Sequence, residues 1–294
     1  MKKIKKNETD NKEELVNQVQ ETKPKKVRSK KRIWTDRIIF VIALCVFIYA
    51  GFNLYLIFYA NHEEKVETNQ VREIVNAPTS EKGLDSFKVD FDKLKKINSD
   101  IVGWIVVEDT EISYPVVKGS DNEYYLNHTY KKSSNYAGAI FMDYAQDATL
   151  STPYENVFIY GHNVYHGTMF AELENYCDKK TGAAFYKKHP YVYYYSPNGN
   201  YKLQIFSTYI GDAENGDQKE FGSADAYLSY IQKIKAKSRY DTGVSIEAKD
   251  KMITLYTCSY EDNDPNSKDY DENARYYVHC KLIKALDGEM PYNQ

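Results

Sequence analysis

Met252-Ile253-Thr254-Leu255-Tyr256-Thr257-Cys258-Ser259-Tyr260 is a run of β-branched, aromatic and apolar residues, the composition of a strand rather than a helix. Side chains alternate across a strand, so Ile253, Leu255 and Thr257 share one face while Thr254, Tyr256 and Cys258 share the other. With Ile253 and Leu255 directed into a core, Cys258 points away from it near the strand's end. Two readings of that thiol stay open. Free cysteines are commonly buried and inert, whereas a thiol held at the end of a rigid strand is placed to react.

Two further stretches have the same build. In Asn156-Val157-Phe158-Ile159-Tyr160-Gly161-His162-Asn163, Val157 and Ile159 lie on one face, and Phe158, Tyr160 and His162 on the other. In Ala274-Arg275-Tyr276-Tyr277-Val278-His279-Cys280-Lys281-Leu282, the apolar face is Tyr276, Val278, Cys280 and Leu282. Arg275, Tyr277, His279 and Lys281 form the opposite face, and Cys280 is expected to be a small core residue. His162, Cys258 and Arg275 thus each sit at a strand end, on the face away from their strand's apolar set. Cysteine plus histidine supplies a nucleophile and a proton-transfer partner. A nearby cation lowers a thiol's pKa and can stabilise an oxyanion. For His162 alone, a structurally bonded histidine competes. A metal site is the weaker rival: His166 is four residues on, but the intervening residues lack the glutamate of the helical zinc motif. Papain-like and caspase signatures are absent around Cys258.

The chain has 294 residues, enough for one or two domains with appendages. A net charge of −3 gives no basis for a nucleic-acid partner. There are 29 Tyr against 2 Trp, which favours strands with aromatic, partly wet surfaces. Residues 1–37 are polar, with 13 Lys/Arg against 6 Asp/Glu, and are expected to be a disordered basic cytoplasmic tail. Ile38 to Ala60 follows as 23 uncharged residues, long enough to cross a bilayer. It exceeds the apolar core of a cleaved signal peptide, about 7–15 residues, and Phe58-Tyr59-Ala60 is a poor cleavage site. A transmembrane signal anchor over 38–60 is therefore expected. Basic residues precede it and Glu63-Glu64 follows, which puts residues 61–294 outside the cell. Three of the four cysteines, Cys177, Cys258 and Cys280, then lie in an oxidising compartment, and an odd count leaves at least one thiol free.

Residues 61–84 are charged and then turn-like, and are expected to be an extracellular stalk carrying at most one helix. Asp85 to Ile97 is expected to be a short amphipathic helix. Strands are expected over 102–107, 112–117, 139–142 and 156–160, then over 191–195 and 201–210 around the Ser196-Pro197-Asn198-Gly199-Asn200 turn. A helix over Ser223–Ser238 carries Ala226, Tyr227, Tyr230, Ile231 and Ile234 on one side, and precedes the two final strands. Short strands joined by turns make an antiparallel barrel or sandwich the expected class.

Thr254-Leu255-Tyr256-Thr257-Cys258, Tyr160-Gly161-His162-Asn163 and Arg275-Tyr276-Tyr277-Val278 resemble the three motifs of sortases, the cell-wall transpeptidases of Gram-positive bacteria. Gly103-Trp104-Ile105, Tyr114-Pro115-Val116-Val117, Asp121-Asn122-Glu123-Tyr124-Tyr125-Leu126 and Gly167-Thr168-Met169-Phe170 are similar to class B in order and spacing. So is the long helix inserted between Ile210 and Ile246. The resemblance covers Asp85 to Ile283 and implies a mainly β, sortase-type closed β-barrel over 85–294, with N-terminal helices and an extra helix inserted between late strands. It implies that Cys258 attacks the Thr carbonyl of a C-terminal sorting signal on a surface protein. A thioester acyl-enzyme would form, and an amine of a peptidoglycan precursor or of another protein would resolve it. His162 would move the proton and Arg275 would hold the substrate and oxyanion. Asn122, Leu126, Tyr160 and Thr257 would line the groove, with Tyr256 beside the nucleophile. No cofactor or metal is implied.

Two departures stand out. Many class B members carry Ser where this chain has Tyr256, so the groove near the thiol has a different volume. The segment 261–274 is long and acidic. Asp262, Asp264 and Asn266 mimic the first positions of a calcium loop, but Ser267 replaces the required Gly and no Glu sits at the twelfth position. A solvated loop and a mobile lid are the other readings. Rival functions are a pilus-polymerising sortase, with a pilin Lys as the acceptor, and a non-catalytic surface binding module.

Overall fold

The structure, a computed structural model, describes residues 30–78, 83–164, 167–213, 218–259 and 273–292. Eight strands among them, β1 (Ile101–Val107), β2 (Ser113–Val117), β3 (Ile140–Met142), β4 (Asn156–Tyr160), β5 (Tyr191–Ser196), β6 (Gly199–Asp212), β7 (Met252–Cys258) and β8 (Ala274–Ala285), close into a barrel. The order around it is β1-β2-β3-β4-β7-β8-β6-β5. The barrel is mixed rather than antiparallel, because β2 pairs parallel to β3 and β4 parallel to β7. A parallel neighbour needs a long crossover. The chain supplies one between β4 and β7 that carries α3 (Glu174–Cys177), α4 (Gly182–Lys188), the β5–β6 hairpin and α5 (Ala224–Lys237). Neither α3 nor α4 was expected from the sequence.

The expected strand faces hold. Ile253 and Leu255 of β7, Val157 and Ile159 of β4, and Val278, Cys280 and Leu282 of β8 join one buried cluster with Ile105, Val192 and Leu203, the inside of the barrel. The opposite faces of β4, β7, β8 and β6 are not simply wet. Phe158, Met252, Tyr277, Phe206 and Tyr209 pack against Tyr227, Tyr230, Ile231 and Ile234 of α5 in a second core. The Ser223 side chain caps α5 by accepting from Ala226 N at 3.2 Å, which fixes where the helix starts. Ala226 itself is exposed, contrary to the face expected for it.

A third cluster joins Val71, Val75, Leu84, Phe87 and Leu94 to Trp104, Tyr193 and Tyr195 on the outer side of β1 and β5. The helix expected over 85–97 is shorter. Leu84–Ser86 forms a 3₁₀ turn, and α2 runs over Phe91–Ile97 with the Asp90 carboxylate accepting from Lys93 N at 3.0 Å. That cap sets the start, and Phe87 is instead used as a core residue. Upstream, α1 (Lys30–Val75) is one long helix, and among the described residues it is the one long and apolar enough to cross a membrane. Two compact units divide the chain, residues to Tyr55 and residues from Leu56. Within the second, the end of α1 is bonded to the barrel segments rather than standing as a free stalk. Arg72 Nε donates to Ser113 O at 3.0 Å, Tyr130 OH to Glu67 O at 3.0 Å, and Asn135 Nδ2 to Ala60 O at 2.9 Å.

Candidate active site

β4, β7 and β8 are neighbours, and their registers stack the outward side chains in tiers. Phe158 pairs with Thr254 and Tyr160 with Tyr256 across β4–β7. Thr254 pairs with His279, Tyr256 with Tyr277, and Cys258 with Arg275 across β7–β8. The β4–β7 pairing continues past the strand, with Gly161 N donating to Tyr256 O at 3.1 Å and Asn163 Nδ2 to Cys258 O at 3.1 Å. His162, two residues beyond Tyr160, therefore arrives at the same end as Cys258 and Arg275. The register brings the three candidate catalytic residues to the ends of three adjacent strands.

Gly161 explains how the chain turns there. A Cβ at this position would lie 2.4 Å from Ile140 Cδ1 and 2.8 Å from Phe170 Cδ2, so any larger residue would have to displace these buried side chains in the passage before His162. The His162 ring is then fixed by Nε2 at 2.8 Å from Leu126 O. A carbonyl can only accept, so Nε2 carries the hydrogen. Leu126 ends a 3₁₀ turn, Tyr124–Leu126, whose start is held by Asp121 Oδ1 accepting from Glu123 N at 2.9 Å and Tyr124 N at 2.8 Å. The His162 carbonyl accepts from Phe170 N at 2.9 Å, which ties in the Gly167-Thr168-Met169-Phe170 segment. Met169 there takes a left-handed φ of 56°, a strained conformation for a non-glycine residue.

Cys258 is half-buried, whereas Cys177 and Cys280 are buried. Burial pushes the Cys280 thiol far above its usual pKa, which suits a core role. Arg275 is half-buried, with Nη1 donating to Ala274 O at 2.9 Å. Beneath this tier lies an aromatic floor. Tyr160 and Tyr256 meet edge-on at 5.2 Å, Tyr256 and Tyr277 edge-on at 5.0 Å, and Tyr277 stacks on Tyr209 at 4.9 Å. Beneath that is His279, fully buried. Thr254 Oγ1 donates to Asn156 Oδ1 at 2.6 Å, so the 2.7 Å contact to His279 Nδ1 has the ring donating, and Nε2 is left to accept from Tyr209 OH at 3.2 Å. A neutral ring satisfies every partner. Burial, and then the charge of Lys237, push the His279 pKa down to about 3.

Of the expected groove residues, Tyr160 and Tyr256 form this floor and both are half-buried. Leu126 is exposed beside His162. Asn122 lies one turn ahead, with Nδ2 donating to Asp143 Oδ2 at 2.8 Å and Oδ1 accepting from Tyr144 N at 3.0 Å. Thr257 alternates to the barrel side and is buried, and its hydroxyl finds no hydrogen-bond partner among the described residues. Asp143 and Asn163 were not singled out from sequence. One lone Asp after a three-residue strand carries no spacing signal, and Asn163 acts through a contact that exists once β4 lies beside β7. His166 and most of the acidic 261–274 segment fall outside the described residues, so the calcium-loop and lid readings have no counterpart to compare. Among the described residues, no group of three or more His, Cys, Asp or Glu is arranged to hold a metal.

The family model for the sortase domain matches residues 105–283. Sortase B of Listeria monocytogenes serovar 1/2a (strain ATCC BAA-679 / EGD-e) is 33% identical over 245 residues, covering 83% of this chain and 94% of the relative. A solved Staphylococcus aureus sortase B–substrate complex superposes with a TM-score of 0.64 at 31% identity, covering 76% of this chain and 98% of that one. A solved sortase B complexed with triglycine superposes with a TM-score of 0.63 at 29% identity, covering 76% and 99%.

Proposed function

The chain belongs to the sortase family, class B, whose members are cysteine transpeptidases, and from that premise we propose that it anchors surface proteins by cleaving a C-terminal sorting signal after Thr through a thioester on Cys258. The Cys258 sulfur, its proton passed to His162, attacks the Thr carbonyl carbon, and the oxygen takes the negative charge. Arg275, across the strand pair from Cys258, binds substrate and stabilises that oxyanion. His162 protonates the departing amine, the C–N bond breaks and the thioester remains. A peptidoglycan-precursor amine then attacks the thioester, His162 takes its proton, and a new amide forms as the thiol is regenerated. Asn122, Leu126, Tyr160 and Tyr256 contribute to the groove, and Thr257 backs the nucleophile from the barrel side.

The observation that carries this reading is the joint placement of His162, Cys258 and Arg275 at one end of β4, β7 and β8. The solved relatives with substrate and with triglycine support a peptide donor and an amine acceptor. The uncharged run 38–60 within α1 supports a single-pass anchor with the catalytic domain outside the cell. A library of sorting-motif peptides, read out by mass spectrometry, fixes motif and scissile bond together. Cleavage by the wild-type protein and its loss by about a thousandfold or more in Cys258→Ala is the expected result. Cleavage by Cys258→Ala at the wild-type rate would remove Cys258 from the mechanism.

A further inference from the structure

Asp143 follows β3 and its side chain is fully buried. A buried carboxylate is costly unless its oxygens are paired, and here they are heavily used. Oδ2 accepts from Asn122 Nδ2 at 2.8 Å, from Tyr160 OH at 3.0 Å and from the Lys219 ammonium, while Oδ1 accepts from Ala145 N at 3.0 Å. Burial alone would raise its pKa, but Lys219, Ala145 N and Asn122 overcome that and hold it below the usual carboxylate range. The group therefore stays charged at neutral pH.

Its side-chain partners come from three separate parts of the chain, and each borders the site. Asn122 opens the turn that ends in Leu126, the residue whose carbonyl fixes the His162 ring. Tyr160 is the floor residue two positions before His162 and stands edge-on to Tyr256. Lys219 belongs to the segment leading into α5, and its ammonium also lies 5.9 Å from the centre of the Tyr160 ring. All three converge on the one oxygen, Asp143 Oδ2.

We propose that the Asp143–Lys219 ion pair is a positioning device that sets the width of the peptide groove, drawing the Asn122–Leu126 wall and the α5 approach onto the Tyr160 floor. Asp143 touches no reacting atom. It acts through Asn122 and Tyr160, so its loss affects how the sorting peptide is held more than how the thiol reacts. The proposal rests on the transpeptidase reading and specifies which buried charge shapes its binding site.

The test uses the full chain in detergent and a peptide that the wild-type protein cleaves. For Asp143→Asn, the expected result is a KM raised about tenfold or more, with kcat and the alkylation rate of Cys258 by iodoacetamide within about threefold of wild type. Lys219→Met should reproduce the KM defect, Lys219→Arg should keep KM near wild type, and the double variant should be no worse than Asp143→Asn alone, because both act on one interaction. Lys219 keeps 31% of its side chain exposed, so Lys219→Met carries the test if Asp143→Asn does not fold. An unchanged KM in a folded variant overturns the proposal. So does a parallel fall of kcat, 1/KM and alkylation together with melting temperature, which would mark a merely structural residue. Failure of the underlying reading looks different: Cys258→Ala would then cleave as well as wild type, whatever Asp143 does.

Discussion

Cys258 and Cys280 carry the same group, and their surroundings separate them. Cys280 faces the barrel interior and burial keeps its thiol protonated, whereas Cys258 is half-buried beside Arg275. Arg275 is the residue whose removal should tell most about the chemistry. Arg275→Ala is expected to lower kcat/KM by about a hundredfold or more while the melting temperature stays near wild type, since the side chain lies at a strand end outside the packed cores. A folded variant with full activity would end the oxyanion role. His279, in the same strand, makes a prediction about stability. The unfolded ring titrates near 6.5 and the folded ring near 3, so the unfolded state takes up the proton first. This group's contribution to stability is full above pH 6.5 and is lost toward pH 3, by about 1.4 kcal/mol per pH unit at most, while Glu155, pushed by burial up to about 7, acts in the opposite sense. Denaturation at pH 7.0, 5.5 and 4.5 should show the stability difference between wild type and His279→Gln shifting against the wild type as pH falls, a comparison from which the Glu155 contribution cancels. Equal slopes would mean that His279 titrates normally in the fold. The three catalytic candidates were legible as residue types facing away from apolar sets. Asp143 was not, because its importance is a matter of three partners 21, 17 and 76 positions away.

At the scale of elements, alternation was a sound guide wherever one strand face is packed. Ile253, Leu255, Val278 and Cys280 went inward as expected. What alternation cannot give is which strands touch, or in which direction. The β4–β7 contact is parallel and joins residues nearly a hundred positions apart, and no local pattern encodes it. It is nonetheless the contact that brings His162 to the strand end that carries Cys258. The aromatic floor was hidden for a related reason: Tyr160, Tyr256 and Tyr277 sit on faces that read as outward, and α5 covers the neighbouring Phe158 and Tyr209. The register itself can be tested. Native protein treated with iodoacetamide should label Cys258 quickly and leave Cys280 unmodified until denaturant is added. Rapid native labelling at Cys280 would require β8 to be shifted by one residue, since a one-residue slip reverses every side chain.

For the whole molecule, the sequence disclosed a long apolar run, a β-rich body and a helix inserted late. It did not disclose that the charged segment after the run belongs to the body. Glu64, Thr68, Val71 and Val75 are the buried positions of α1, spaced as one helical stripe. Two of the four are polar, so composition disguises the stripe as solvated surface. The short helices α3 and α4 escaped for want of length, seven residues or fewer each. One end of the barrel gathers the proposed chemistry, which requires a covalent intermediate there. Full-length protein should be incubated with a cleavable sorting peptide in the absence of an amine, quenched in acid, and digested for mass spectrometry. The expected product is an adduct of the peptide's Thr-terminated half on Cys258, released by hydroxylamine and absent from Cys258→Ala. Peptide cleavage accompanied by an adduct on any other residue, or proceeding undiminished in Cys258→Ala, would contradict it.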